Sequence, residues 1–264
     1  MMPRTRLRRT LALALPAAVV VGLLAVSARS HFQVLVPSQD NVSGGNRTVD
    51  LEVLFTHPMA GGPVMDMARP RQFGVLVRGR KTDLLGSLRR RTVGGKAAYA
   101  ASYEVRRPGD HVFYLEPAPY WEPAEGKTIV HYTKVVVNGM DLGEGWDAMV
   151  GFPVEIEPLV RPYGLWTGNV FRGIVRKGGQ PVPFAEIEVE YRNVGGRVTP
   201  PGDAFVTQVI KADANGTFCY GLPKAGWWAF AALIDGDEKR PAPYGKPADV
   251  ELGALMWVRA VDMK

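Results

Sequence analysis

The stretch "RTVDLEVLF", Arg47–Phe55, alternates polar and apolar residues through most of its length. This period of two is typical of a β-strand with one buried face. "AEIEVEY", Ala185–Tyr191, repeats the pattern in the second half of the chain. Short β-branched and aromatic runs fill much of the remainder, separated by turn-forming clusters of Gly, Pro, Asn and Asp. We therefore predict an all-β protein built of two tandem β-sandwich modules.

The first thirty residues are typical of a signal peptide. Arginines precede an apolar run from Leu11 to Val26, and the small residues Ala28 and Ser30 stand where a signal peptidase accepts them. We predict cleavage after Ser30, which makes His31 the first residue of a periplasmic chain. If the leader is retained instead, its apolar run anchors the protein in the membrane.

Composition narrows the classes of function. The chain has 264 residues, of which 46% are hydrophobic and 22% charged, as expected of a folded protein. Its formal charge of +6 falls to +1 without the five arginines of the leader. A chain with a net charge this close to zero shows no sign of the basic surface that binds nucleic acid or an anionic membrane. The single cysteine, Cys219, excludes an intrachain disulfide and a multi-cysteine metal cluster.

A module boundary is indicated by the prolines of "EIEPLVRPYGLW", residues 155–166. We place a first β-sandwich at residues 31–157 and a second at 158–264. Through "DANGTFCYGLPKAGWW", Asp213–Trp228, the second module resembles the transthyretin-like or carboxypeptidase-regulatory β-sandwich. That resemblance implies an accessory module without chemistry of its own.

All four histidines of the chain lie in the first module. After cleavage, the α-amine and imidazole of His31 would form a two-nitrogen chelate. His57 ends a strand beside a flexible loop rich in methionine and glycine, and His131 lies within a strand. We predict that these three converge at one sandwich edge and bind one ion, because neutral imidazole suits nickel, cobalt and copper. His111, after a turn at the solvent-facing start of a strand, is not expected to be a ligand.

Other side chains of the first module are able to join or orient these ligands. They are Asp66, Glu122, Glu125, Met59, Met65 and Met67. The alternative for the carboxylates is solvation at the surface, and for the methionines it is filling gaps in the core. Tyr120 and Trp121 form either a lid or partner surface, or a loop packed on the sandwich edge.

No catalytic motif stands out in the sequence. It contains no Gly-x-Ser-x-Gly, no phosphate-binding Gly-x-x-x-x-Gly-Lys-Ser/Thr and no His-Glu-x-x-His. We therefore expect a binding protein and no enzyme.

Several blocks resemble one bacterial family closely. They are "HFQVLVPS", "VLFTHPMAGGPVMDMARPRQFGVLV", "PYWEPAEGKTIVHYTKVVV" and "GWDAMVGFPVEIEPLVRPYGLWTGNVFRG", together with the "DANGTF" stretch above. The family is the NikM/NikK-like group of periplasmic components of cobalt/nickel transport systems. The resemblance implies an exported all-β protein that carries Ni(II) or Co(II) as cargo and works with membrane metal-transporter subunits. His31, His57 and His131 stand in the matching blocks.

Two alternatives remain open from the sequence. One is a Cu(II)-binding protein in which His31 forms a histidine brace, acting as a carrier or as an oxidoreductase. The other is a structural envelope protein without metal. In each case we expect no nucleic-acid partner, and membrane contact only through an uncleaved leader.

Overall fold

The computed structural model describes residues 31–243 and 245–264. The predicted signal peptide, residues 1–30, lies outside the described residues and stays a prediction. The described chain consists of β-strands and short 3-10 helices at Leu85–Ser87, Val194–Gly196 and Asp203–Phe205. The all-β prediction is confirmed. Within the two described ranges, no helix has the length and apolar character needed to cross a membrane.

The strands up to residue 158 include the first alternating run. They are β1 (Phe32–Pro37), β2 (Asn41–Val42), β3 (Thr48–Thr56), β4 (Val64–Met65), β5 (Gln72–Val77), β6 (Arg80–Asp83), β7 (Arg89–Val93), β8 (Lys96–Glu104), β9 (Gly109–Glu116), β10 (Tyr120–Glu122), β11 (Lys127–Gly139) and β12 (Val154–Pro158). In β3 the apolar residues of the alternating half are buried and the polar residues are mostly exposed, as the sequence predicts.

The strands after residue 158 include the second alternating run, which forms β16. They are β13 (Leu165–Trp166), β14 (Val170–Lys177), β15 (Gln180–Pro181), β16 (Glu186–Tyr191), β17 (Gln208–Lys211), β18 (Thr217–Gly221), β19 (Gly226–Asp235), β20 (Arg240–Pro241), β21 (Pro247–Ala248) and β22 (Val250–Val261). β22 is buried along almost its whole length, which is the pattern of a strand covered on both faces.

Three sheets form the body of the described chain. The central sheet has the order β17-β16-β19-β22-β11-β9-β5-β6, with β2 and β10 beside β11 and β13 beside β22. The front sheet has the order β1-β3-β8-β7, with β4 beside β3. The back sheet has the order β12-β14-β15, with β18 beside β14. β20 and β21 form a small separate ribbon.

Both faces of the central sheet are covered. Along β11, Val130, Tyr132 and Val136 belong to the apolar cluster shared with the back sheet. Val135 and Val137 belong to the cluster shared with the front sheet. Successive strand residues point to opposite faces, so one sheet supplies both cores. Burial of this apolar surface is the main driving force for folding.

β22 joins the two halves of the chain. It runs antiparallel to β19 and parallel to β11, where Thr128 lies opposite Val250 and Val135 opposite Trp257. The indole Nε1 of Trp257 also donates to the main-chain oxygen of Gln33 in the front sheet, at 2.9 Å. The division into residues 31–157 and 158–264 stays a prediction. Hydrogen bonds between β11 and β22 link the two predicted modules within the central sheet.

A buried ion pair fixes the chain between the central and back sheets. Lys134 of β11 is 1% exposed, and its Nζ lies 2.7 Å from Oε1 of Glu155 in β12. The same carboxylate accepts the main-chain N–H groups of Val150, at 2.7 Å, and Gly151, at 2.9 Å. A buried charge needs such full pairing to be tolerated. The pair therefore holds the turn that leads from β11 into β12.

Candidate metal centre

Antiparallel pairing brings His31 and His57 together at one end of the front sheet. His31 directly precedes β1 and His57 directly follows β3, and the register places Phe32 opposite Thr56. Extending that register by one residue places the two histidines opposite each other. Their ring centroids are 4.5 Å apart, with 41° between the ring planes. Residues far apart in the sequence thus become direct neighbours.

His131 reaches the same end of the molecule from the central sheet. Its ring is 1% exposed and lies edge-on to Phe55, with centroids 6.0 Å apart. His31 stacks on Phe55 at 5.4 Å. The structure therefore places His31 against His57, and His131 beside the same phenylalanine. In the side-chain positions described for residues 31–243 and 245–264, no three His, Cys, Asp or Glu side chains are already arranged to hold a metal ion.

His31 and His131 share an unusual pattern of partners. Nε2 of His31 lies 3.4 Å from Oε2 of Glu122, and Nε2 of His131 lies 3.4 Å from Oε1 of Glu251. In both rings Nδ1 is buried and has no hydrogen-bond partner within the described part of the chain. A carboxylate accepts hydrogen bonds, so it favours the tautomer with the proton on Nε2. That tautomer leaves the lone pair of each Nδ1 available.

The surroundings of His31 favour its neutral form. Burial lowers the pKa of His31, the charge of His57 lowers it further, and Glu122 opposes both effects only in part. Because a metal binds neutral imidazole, this shift favours ligation.

The carboxylate beside His131 stays ionised. Burial alone would raise the pKa of Glu251, but hydrogen bonds and charge from His131 and Lys127 lower it to about 2. Nζ of Lys127 lies 2.5 Å from Glu251 and 2.6 Å from Glu125. Burial lowers the pKa of Lys127, but hydrogen bonds and charge from these two carboxylates together outweigh it and raise the pKa. An ionised Glu251 can therefore accept a hydrogen bond from the Nε2–H group of His131.

A glycine on the neighbouring strand makes room for the ring of His131. Gly253 of β22 lies directly opposite His131. A Cβ atom at position 253 would lie 2.3 Å from Cδ2 of His131, closer than any real contact. Glu251, two residues earlier on the same face, is the carboxylate that faces Nε2. Thus β22 supplies both the space for His131 and the group that orients it.

The loop after His57 is held by the second half of the chain. The main-chain N–H of Met59 donates to Oε2 of Glu190, at 2.9 Å. Asn193 donates its N–H to the oxygen of Pro58, at 3.0 Å, and its Nδ2 to the oxygen of Met59, at 3.1 Å. The sequence predicts a flexible loop here, but these contacts fix its first residues. The side chain of His57 is itself buried, at 7% exposure.

A cavity of about 250 Å³ opens beside His131. Phe55, Tyr120 and Trp121 form much of its wall. The ring of Tyr120 also lies 5.7 Å from that of His31, between centroids. Tyr120 and Trp121 begin β10, which pairs with β11. The aromatic segment is therefore part of the sheet and walls the histidine end.

Three of the other candidate ligands have contacts of their own, although Asp66 and Met67 also line the cavity beside His131. Asp66 is exposed and accepts the N–H of Ala97 at 2.8 Å, while Lys96 pairs with it at 3.3 Å. Sδ of Met67 lies 3.7 Å from Nε2 of Gln33, inside the front core. Met59 is also buried. These contacts agree with the alternative roles given above, which are solvation at the surface for Asp66 and filling of the core for Met59 and Met67.

Glu251 and Gly253 are the site residues that sequence reasoning missed. It assigned no site residue to the second half of the chain, because parallel pairing between β11 and β22 leaves no local pattern. One signal was present. A glycine inside the apolar run "VELGALMWV", Val250–Val258, often marks a close approach by a neighbouring group.

The setting predicted for His111 is wrong. It does not face solvent but is 1% exposed, within β9. Its Nδ1 donates to the main-chain oxygen of Gly109, at 2.9 Å. The turn before it is the start of the strand itself, and its ring points into the front core against Tyr103. His111 lies at the opposite end of the β9–β11 pair from His131.

Comparison with known proteins gives a family but no activity. No curated protein sequence matches the chain significantly. Among solved structures, the D0-D1 domain of intimin is 11% identical and covers 86% of this chain and 99% of its own, with a TM-score of 0.25. A fragment of Escherichia coli alpha-2-macroglobulin is 9% identical, covers 88% of this chain and 72% of its own, and has a TM-score of 0.24.

Murine CEACAM1b is 9% identical and covers 88% of this chain and 100% of its own, with a TM-score of 0.21. Scores this low carry no inference about function. Residues 28–236 match the family described as "Domain of unknown function (DUF4198)". Because that match spans most of the sequence, the protein belongs to the DUF4198 family.

Proposed function

We propose that this protein is a periplasmic carrier of a transition-metal ion, Ni(II) or Co(II), that serves a membrane metal-uptake transporter. The observation that carries the proposal is the shared pattern of His31 and His131. Each ring has Nε2 against a carboxylate and a buried Nδ1 without a partner in the described chain. Carboxylates that fix histidine rings in this way are typical of metal sites.

His31, His57 and His131 would hold the ion. The described side chains do not form a ready three-ligand group, so the proposal includes the α-amine of His31, freed by cleavage after Ser30. The amine and Nδ1 of one histidine close a chelate ring, and Nδ1 is the nitrogen that Glu122 leaves available. A nitrogen-rich site of this kind suits Ni(II) and Cu(II). The resemblance to the NikM/NikK-like family supports Ni(II) or Co(II) as cargo and a transporter as partner.

The decisive experiment uses protein exported by its own leader. Intact mass identifies its first residue, and elemental analysis measures its metal content. We expect a chain that begins at His31 with one nickel or cobalt ion. A chain with an extra methionine before His31 has no free histidine amine, and we expect it to bind at least about tenfold more weakly.

Other outcomes would contradict parts of this proposal. Equal affinity with and without the extra methionine would remove the amine from the site. Absence of tight metal in both proteins would favour a structural envelope protein. A variant with alanine at all three histidines that binds as the parent does would refute the ligand set.

Copper binding is the second candidate, favoured by the chelate that His31 can form. Cu(II) binds most nitrogen sites more tightly than Ni(II), so affinity in vitro cannot identify the cargo. Metal content after growth with nickel, cobalt and copper all supplied distinguishes the two. Turnover with oxygen and a reductant would indicate an oxidoreductase, whereas we expect none from a carrier.

A further inference from the structure

A second cavity is lined by arginines. It lies near His111, at the opposite end of the β9–β11 pair from His131 and the proposed metal centre. Its volume is about 430 Å³. Its lining consists of Val77, Arg78, Arg80, Thr82, Tyr103, Arg106, Arg107 and His111. Four guanidinium groups and two hydroxyl groups thus surround one depression, and no carboxylate of the described residues lines it.

Two separate pieces of chain, the β5–β6 hairpin and the β8–β9 connection, bring these arginines together. Arg78 lies in the tight turn between β5 and β6, where its φ of 48° is in the left-handed region. Arg80 begins β6, the last strand at one end of the central sheet. Arg106 and Arg107 lie in the connection from β8 of the front sheet to β9 of the central sheet. The basic cavity therefore spans the edge where the two sheets meet.

Charge is concentrated in this part of a nearly neutral body. Residues 78–107 contain nine arginines and lysines and only two acidic residues, Asp83 and Glu104. Asp83 accepts the main-chain N–H of Leu85 at 2.8 Å. Glu104 pairs with Arg106 at 2.8 Å.

Within the described part of the chain, the remaining three lining arginines have no such partner. Among the ion pairs of residues 31–243 and 245–264, none involves Arg78, Arg80 or Arg107. Converging cations without counter-charges create a strongly positive local potential.

We propose that this cavity binds a phosphate-bearing molecule. Guanidinium groups recognise phosphate through paired hydrogen bonds, and the hydroxyls of Thr82 and Tyr103 offer further donors. The volume is in the range of small-molecule sites, which suits a phosphate ester or a diphosphate. A soluble phosphorylated compound and a phospholipid headgroup share this chemistry.

Protection of sheet edges is the competing explanation. Arginine or lysine on an edge strand discourages pairing with another chain, which suits β6 and the exposed arginines of β7. It does not account for Arg106 and Arg107, which lie outside the strands. Nor does it require arginines from two separate pieces of chain to meet around one cavity.

The test compares two double variants of the full chain with the same loss of charge. Arg106→Gln with Arg107→Gln changes the cavity, and Arg89→Gln with Arg90→Gln changes exposed residues of β7 outside it. The probes are pyrophosphate, measured by calorimetry, and vesicles of phosphatidylglycerol in phosphatidylcholine, measured by co-sedimentation. We expect the cavity variant to bind at least about tenfold more weakly and the β7 variant to change by less than about twofold.

Each outcome decides the proposal. Binding of pyrophosphate that is lost only in the cavity variant supports it with a soluble ligand. Binding of vesicles that is lost only in the cavity variant supports it with a lipid headgroup. Equal losses in both variants would mean a diffuse basic surface and would overturn it, as would failure to bind either probe. All these arginines are exposed, so thermal unfolding should confirm that both variants fold like the parent.

Discussion

His111 and His131 lie on neighbouring strands, on the same face of the same sheet, and each is 1% exposed. Their partners differ. Nδ1 of His111 donates to the oxygen of Gly109, two residues earlier in the chain. Nε2 of His131 faces Glu251, 120 residues later, and its Nδ1 has no partner in the described chain.

The difference separates two uses of a buried histidine. A main-chain oxygen at the start of a strand can accept a hydrogen bond from Nδ1 of a nearby histidine. This fixes the ring, but Nδ1 is then not available to bind a metal ion. A carboxylate on Nε2, brought from a distant strand, fixes a ring while keeping Nδ1 available. Burial alone therefore does not distinguish a core histidine from a candidate ligand, whereas the partnered nitrogen does.

Alanine at the two positions should give the largest contrast. His131→Ala removes a proposed donor, and we expect its affinity for Ni(II) or Co(II) to fall by at least about 100-fold. His111→Ala leaves the proposed ligands in place, and we expect a change of less than about twofold. Titration of folded, leader-processed protein measures both.

Both alanine variants open a cavity in the core, so each should lose stability. A comparable loss of metal affinity in the two would mean that affinity merely follows stability. That result would remove His131 from the site.

Glycines beside the two rings offer a second contrast. A Cβ at Gly253 would lie 2.3 Å from Cδ2 of His131, and a Cβ at Gly139 would lie 3.0 Å from Cε1 of His111. We expect both Gly253→Ala and Gly139→Ala to lower the free energy of unfolding, by roughly 1–3 kcal/mol. Only Gly253→Ala should also weaken metal binding, because it displaces a proposed ligand. Urea unfolding and metal titration on the same samples test this, and equal metal affinities would contradict it.

The orienting carboxylate should have a smaller effect. Glu251→Gln keeps the size of the side chain but removes the charge that faces Nε2 of His131, and we expect metal affinity to fall about tenfold. Glu125→Gln removes the other carboxylate of Lys127 without touching His131. The charge of Glu125 has only a small effect on the pKa of His31 compared with that of burial, so we expect affinity to change by less than about twofold. A pH titration of metal binding adds a readout that a purely structural role would not change. If both variants bind equally, Glu251 does not position the ligand.

The sequence predicts strands better than it predicts their neighbours. Alternation in Arg47–Phe55 and Ala185–Tyr191 is a local consequence of one buried face, and both runs became strands. The pairing of β11 with β22 depends on which apolar strand takes the neighbouring position in a sheet that is covered on both faces. That choice is made by packing across the whole molecule, so the prolines near residue 158 could not reveal it.

The same limit applies to the candidate site. His31 and His57 follow from strand ends, because each borders a recognisable strand and antiparallel neighbours meet there. Glu251 was hidden, since its role depends on the β11–β22 register. The prediction for His111 is wrong because a Gly-Asp pair is typical of an exposed turn, whereas β9 begins there and is buried from its first residue.

The smallest expected effect is on acid stability, and it again compares the two ends. The pKa of Glu251 is lowered to about 2 against burial, from an ordinary 4.5. Beside His111, burial raises the pKa of Asp110, with hydrogen bonds from Asn138 and Tyr163 opposing it. A lowered pKa stabilises the fold above the unfolded value, and this contribution is lost as pH falls.

Between pH 5 and pH 4 the parent should therefore lose roughly 0.7 kcal/mol that Glu251→Gln does not lose. Asp110 has the opposite sign, because a raised pKa favours the fold when the group is protonated and disfavours it as pH rises. The free energy of unfolding of Asp110→Asn should therefore fall more steeply with decreasing pH than that of the parent. That of Glu251→Gln should fall less steeply. Urea unfolding at a series of pH values measures both slopes. Parallel slopes for the two variants would show that the carboxylate facing His131 is no more strongly ionised than the one beside His111.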